Sequence, residues 1–211
     1  MRQLLVRAIA ALLLFYPTIA AQVDYFPRGI LDENPHSSLI DEQWYSKHLK
    51  ALQEPSLWNL SRTQKSETYR FLWLRTFHHP ISVRLDVNPN GTSTLTTKAT
   101  TGQGGYEPGK IFLNKKRALT KEETDWALER FNEMGFWGLP AYEKPHETMG
   151  PDGKKSVDIN LDGAQWILEG VKDGKYHVTN RWSPENGPVR TLGLMMLIDL
   201  AKLKLLYEEV Y

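Results

Sequence analysis

No cysteine occurs among the 211 residues, which removes disulfides, thiolate metal sites and thiol catalysis together. Charge of one sign is missing as well. Lys and Arg number 26 against 25 Asp and Glu, with none of the clustered positive excess that phosphate neutralisation demands, so nucleic acid is not an expected partner. The body of the chain has no apolar run long enough to cross a bilayer, since a spanning helix needs about 20 such residues. Also absent are a G-x-S-x-G elbow, an H-E-x-x-H helix and a phosphate-binding loop with its lysine. The Gly102-Gln103-Gly104-Gly105 stretch lacks that lysine and reads as a flexible linker.

What the chain does have begins with an export signal. Arg2 and Arg7 precede an apolar core at 8–16, Pro17 breaks the helix, and Thr18 and Ala20 supply the small residues of a cleavage site. Residues 1–20 are therefore expected to be removed on export to the periplasm or the medium. No membrane span is expected after cleavage, and the missing cysteine excludes a lipid anchor. Loss of Arg2 and Arg7 leaves 24 basic residues against 25 acidic ones, which predicts no electrostatic partner. Residues 21–36, rich in Pro, Gly and Asp, form an extended leader expected to lie over the surface. Residues 37–211 suffice for one domain stabilised by packing alone.

Hydrophobic periodicity gives the elements of that domain. Leu39, Ile40, Trp44, Tyr45, His48, Leu49 and Leu52 repeat with helical spacing up to Pro55. Residues 67–78 and 81–87 read as strands, the second alternating strictly through Ile81, Val83, Leu85 and Val87. The turn Asn88-Pro89-Asn90-Gly91 returns the chain as a Thr-rich strand at 92–101, and a weak strand is expected near 111–113. Thr120 and Glu123 make a capping box for a helix to Met134, with Gly135 as its left-handed stop. Between Ser156 and Trp182 two Asp-Gly turns divide three alternating runs, a predicted three-stranded meander. Residues 189–207 predict a long apolar helix packed on the sheet. The fold class is α+β: an antiparallel sheet of hairpin and meander units against two to three helices.

The meander register puts Trp166, Leu168, Gly170, His177 and Arg181 on one face. The other carries Asp158, Asn160, Gln165, Glu169, Tyr176 and Trp182. Arg181 lies opposite Trp166, as in a cross-strand cation–π pair. Trp44, Trp73 and Trp126 have periodic apolar neighbours and are assigned to the core.

The string Asp162-Gly163-Ala164-Gln165-Trp166-Ile167-Leu168-Glu169-Gly170, then Tyr176-His177 and Arg181-Trp182-Ser183-Pro184, resembles a family of uncharacterised exported bacterial proteins. The similarity runs from about Tyr69 to Leu203. It implies an envelope or secreted setting and carries over no activity, cofactor or site residue.

Three chemistries compete. Asp158, Asn160 and Asp162, with Gly163 and Glu169, match the ligand spacing of an EF-hand calcium loop. The alternation of Val157, Ile159 and Leu161 instead makes these carboxylates solvated positions on strands. A hydrolase would use His177 as general base with Glu169 or a nearby carboxylate; the register sets those two on opposite faces. A non-catalytic binding or accessory module, which takes an unidentified protein or small ligand on the face bearing Glu169, Tyr176 and Trp182, needs neither arrangement and is the preferred expectation.

Overall fold

A strand buried on both faces can carry no free alternation of apolar and polar side chains, and β1 (Glu67–Arg75) is such a strand. Tyr69, Phe71 and Trp73 point into one core and Leu72 and Leu74 into another. The computed structural model describes residues 24–63, 67–144, 147–149, 155–157, 162–206 and 210–211. Within them β1 is flanked by β2 (Ile81–Val87), β3 (Ser93–Thr100) and β4 (Ile111–Leu119) on one side. On its other side lie β7 (Ala164–Lys172) and β8 (Lys175–Trp182). The order β4-β3-β2-β1-β7-β8 is antiparallel throughout. The result is a single α+β domain.

Helices cover both faces. Against one pack α3 (Lys121–Glu133), a 3-10 turn (Phe136–Gly138) and α4 (Pro188–Leu194), which continues as six residues of π-helix (Met195–Leu200). Against the other lie α1 (Pro35–Ala51) and α2 (Leu57–Thr63). The capping box of α3 forms as the sequence dictates, and Gly135 takes the left-handed conformation at φ 61°. A final pair of short strands, β5 (Glu147–Met149) and β6 (Lys155–Val157), is paired with itself.

Several expectations are corrected. The predicted meander is a hairpin: β7 and β8 turn at Asp173–Gly174 in the predicted register, but β7's other neighbour is β1, and β6 pairs with β5. The described part of the leader, from Asp24 on, does not simply lie over the surface, because Tyr25, Phe26 and Leu31 are core residues. The α1 stripe is rotated: Leu39 and Ile40 are exposed, while Ser38, Glu42, Tyr45, His48 and Leu49 face inward. Two of those inward positions are polar because they latch the leader, with Glu42 Oε1 accepting from the Gly29 N–H and from Ser38 Oγ. Strand β4 is nine residues long; its run Lys115-Lys116-Arg117 hid it from a hydrophobicity reading, since an edge strand tolerates charge. The last helix stops at Leu200, and Lys202 has φ 54°. Trp126 is exposed rather than core, as α3 turns Thr124, Ala127 and Phe131 inward.

Candidate ligand-binding groove

Where β1 ends, β7 begins and β8 ends, the sheet leaves a rim that the first half of α1 overhangs. Asp41, Trp44 and Tyr45 sit at helical spacing on the side of α1 that meets this rim. With Phe77, Tyr106, Asp162, Gln165 and Trp182 they line a concavity of about 520 Å³. A second, of about 650 Å³, shares Asp41, Gln165 and Trp182 and extends past Asp32, Tyr142, Glu143 and Lys144.

Glycines hold this rim together. A Cβ on Gly163 would come within 2.5 Å of the Trp182 ring, so only glycine lets the indole lie against the backbone. Gly163 is fixed in turn by Thr76, whose N–H and hydroxyl both donate to its carbonyl at 2.9 Å. Ser183 N–H donates to the Ala164 carbonyl and Ser183 Oγ accepts from the Ala164 N–H, both at 2.8 Å. The 102–105 stretch is no flexible linker. The Gly104 N–H donates to the Arg75 and His78 carbonyls and Gly105's to Thr76, an approach of backbone on backbone that a Cβ on either glycine would obstruct. These amides are consumed within the fold, which also answers the idea of a phosphate cradle. Trp44 Nε1 closes the loop onto α1 by donating to the Gly104 carbonyl.

The electrostatics of the groove follow from its solvation. Asp41 is half-buried, and its carboxyl is raised to about 6, first by desolvation and then by the neighbouring charges of Asp32 and Glu42. Among the described residues no cationic side chain lines the 520 Å³ concavity. In the adjoining one, Arg181 and Lys144 are engaged by Glu143 at 2.8 Å and Glu33 at 3.2 Å. Phe77, Tyr106 and Trp182 remain 49, 53 and 37% exposed.

The other residues singled out from sequence fall elsewhere. Glu169 is not solvated: it is fully buried, receives Arg70 Nε at 2.8 Å together with Nη2 on one oxygen, and accepts Tyr176 OH at 2.9 Å on the other. Burial raises its pKa while Arg70 pulls it down. The strand face was covered by α1 and α2, so a carboxylate there needed a partner, and β1 supplies it. Arg70 also donates to the Pro55 carbonyl, and close by Glu54 is held by Arg84 and Lys98, both at 2.8 Å.

His177 stands on the opposite face, edge-on to Phe136 at 5.0 Å, with a pKa lowered chiefly by burial. It and Tyr176 border a third concavity of about 600 Å³ beside Trp137 and Lys172. Asp162 is exposed at the groove and lies at the other end of β7 from Glu169; Asp158 and Asn160 fall outside the described residues. Among the described residues no three of His, Asp and Glu converge as metal ligands. The Trp166 ring meets Arg190 at 5.5 Å, and Arg181 instead donates to the Pro140 carbonyl. Of the residues singled out from sequence, Trp182 and Asp162 line this groove; Asp41, inside α1, carried no sequence signal, and Phe77 and Tyr106 carried none beyond lying beside turns.

The motif Asp162 to Gly170 with Tyr176-His177 and Arg181 to Pro184 now has a physical account. Gly163 seats Trp182 and Ser183 ties the ends. Glu169 and Tyr176 share a buried bond, and Gly170 makes room for Phe136, whose ring a Cβ would meet at 2.5 Å. Most of the motif builds the hairpin, and three of its side chains, Asp162, Gln165 and Trp182, are left to face the groove. No family model matches the chain, and no curated protein matches it.

Proposed function

We propose that this is an exported, non-catalytic binding module of the bacterial envelope or of the medium, whose ligand occupies the groove at the strand ends. The observation that carries the reading is convergence. Side chains from α1, the turn after β1, the loop after β3, and the flanks of β7 and β8 meet at one partly apolar concavity, with a few polar groups set among aromatic ones. Exposed aromatic rings held on rigid supports cost little conformational entropy on binding. Support for export comes from the arginines, apolar core and small residues of the first 20 positions and from the motif's resemblance to exported proteins.

A hydrolytic alternative draws less support, because His177 and Glu169 occupy neighbouring ladder positions, opposite Gly170 and Val178, and so lie on opposite faces of the sheet. The test is a thermal-shift screen over amines, amino acids, neutral sugars and carboxylates, run on the wild type and on Trp182→Leu with Phe77→Ser. A class that raises the wild-type midpoint and leaves the double variant unmoved supports the groove. Shifts of equal size in both proteins, or none in either, refute it.

A further inference from the structure

We propose that the groove takes an organic cation, an alkylammonium group held between aromatic faces and the Asp41 and Asp162 carboxylates. The inference rests on the binding reading above and adds the ligand's charge.

Three observations carry it. The wall is aromatic on several sides: Trp44 and Tyr45 from α1, Phe77 and Tyr106 in a tilted pair with centroids 6.2 Å apart, and Trp182 lying on Gly163. Ring faces carry negative quadrupole potential, and several converging rings are how proteins hold ammonium groups. The charge is one-sided. Asp41 and Asp162 line the concavity with no Lys, Arg or His among its described lining residues, and the charges that act on Asp41 are those of Asp32 and Glu42. Of the cations nearby, Lys47 lies over the Trp44 ring at 4.8 Å and is committed to Glu107 at 2.5 Å, while Lys144 and Arg181 of the adjoining concavity are committed to Glu33 and Glu143. Lastly, among the described residues the Asp41 carboxyl receives no hydrogen bond, although it is half-buried, and Gln165 Oε1 is buried without a partner. A neutral sugar would satisfy the rings and Gln165 but would leave a desolvated carboxylate uncompensated, whereas a cation satisfies both.

Calorimetric titration with paired probes tests the inference. Choline is compared with 3,3-dimethylbutan-1-ol, its isostere with carbon in place of the charged nitrogen, and butylammonium and an acetylated, amidated Gly-Lys-Gly peptide separate a free amine from a protein side chain. N-acetylglucosamine stands for neutral sugars. The expected result is that a cationic probe binds, that the neutral isostere binds at least about tenfold more weakly, and that Asp41→Asn removes most of that difference. Peptide binding tighter than butylammonium would assign the ligand to a lysine of a partner; the reverse would assign it to a small amine. Equal binding of choline and its isostere, or binding of the sugar alone, overturns the charge inference and leaves the groove standing if Trp182→Leu abolishes it. Cation binding untouched by both Asp41→Asn and Trp182→Leu overturns the site itself. No cation binding up to tens of millimolar overturns the inference outright. Asp41 and Trp182 lie outside the buried cores, and far-ultraviolet circular dichroism of each variant confirms that it is folded.

Discussion

Asp41 shows how much a single carboxylate can cost the fold. Its pKa of about 6 exceeds the ordinary 3.8, so the folded state binds its proton more tightly than the unfolded chain does. That contribution to stability is present at low pH and is lost as pH rises from about 4 through about 6. Asp41→Asn is therefore expected to stabilise the domain at pH 7 by about 1–2 kcal/mol, a figure reduced for the solvent screening of a half-exposed group. The gain should vanish below about pH 4, and urea denaturation at pH 7.5 and 3.5 checks both ends. His48 runs the other way. Burial lowers it to about 4 from 6.5, with the Lys47 charge adding to the effect, so stability is lost as pH falls between those values. The two slopes oppose one another between about pH 4 and 6, which is why the variant rather than the wild-type profile isolates Asp41. Nothing in the sequence marked Asp41, since an aspartate on a helix is ordinarily solvated and its desolvation depends on the strand ends that α1 overhangs.

At the level of elements, the hairpin β7–β8 was legible and its neighbours were not. Asp173-Gly174 and the alternation on either side set its register locally, down to Gly170 opposite His177 and Trp166 opposite Arg181. The partner of β7's other edge is β1, about a hundred residues away, and no local pattern encodes that choice. Misreading it turned Glu169 from a buried ion-pair partner into a surface carboxylate. The same pairing yields a prediction. Glu169→Ala leaves Arg70 buried without its acid and is expected to cost about 3–5 kcal/mol. Replacing both residues by methionine should cost well under the sum of the single losses, because an apolar pair carries no stranded charge. A double-mutant cycle in urea measures this. Additive losses would mean that the two groups act independently.

For the whole molecule, the described part of the leader is the feature that the sequence concealed most fully. Its Pro, Gly and Asp content suggested a segment outside the fold, yet Tyr25, Phe26 and Leu31 close the core under α1, and Tyr25 OH donates to the Glu54 carbonyl. Phe26→Ala should destabilise the entire domain by about 3–5 kcal/mol in a single cooperative transition. A loss under about 0.5 kcal/mol would place the segment at the surface. The sheet's two margins are also unequal. At β8 the Asn180 N–H is taken by the Ala141 carbonyl, whereas among the described residues β4 has no strand on its side away from β3, and it carries Lys115, Lys116 and Arg117 in succession. Two copies meeting along β4 would bring like charges together on adjoining strands, where repulsion opposes every added ladder bond. Crowding thus meets a deterrent to fibre growth at the very margin where the backbone would otherwise invite it.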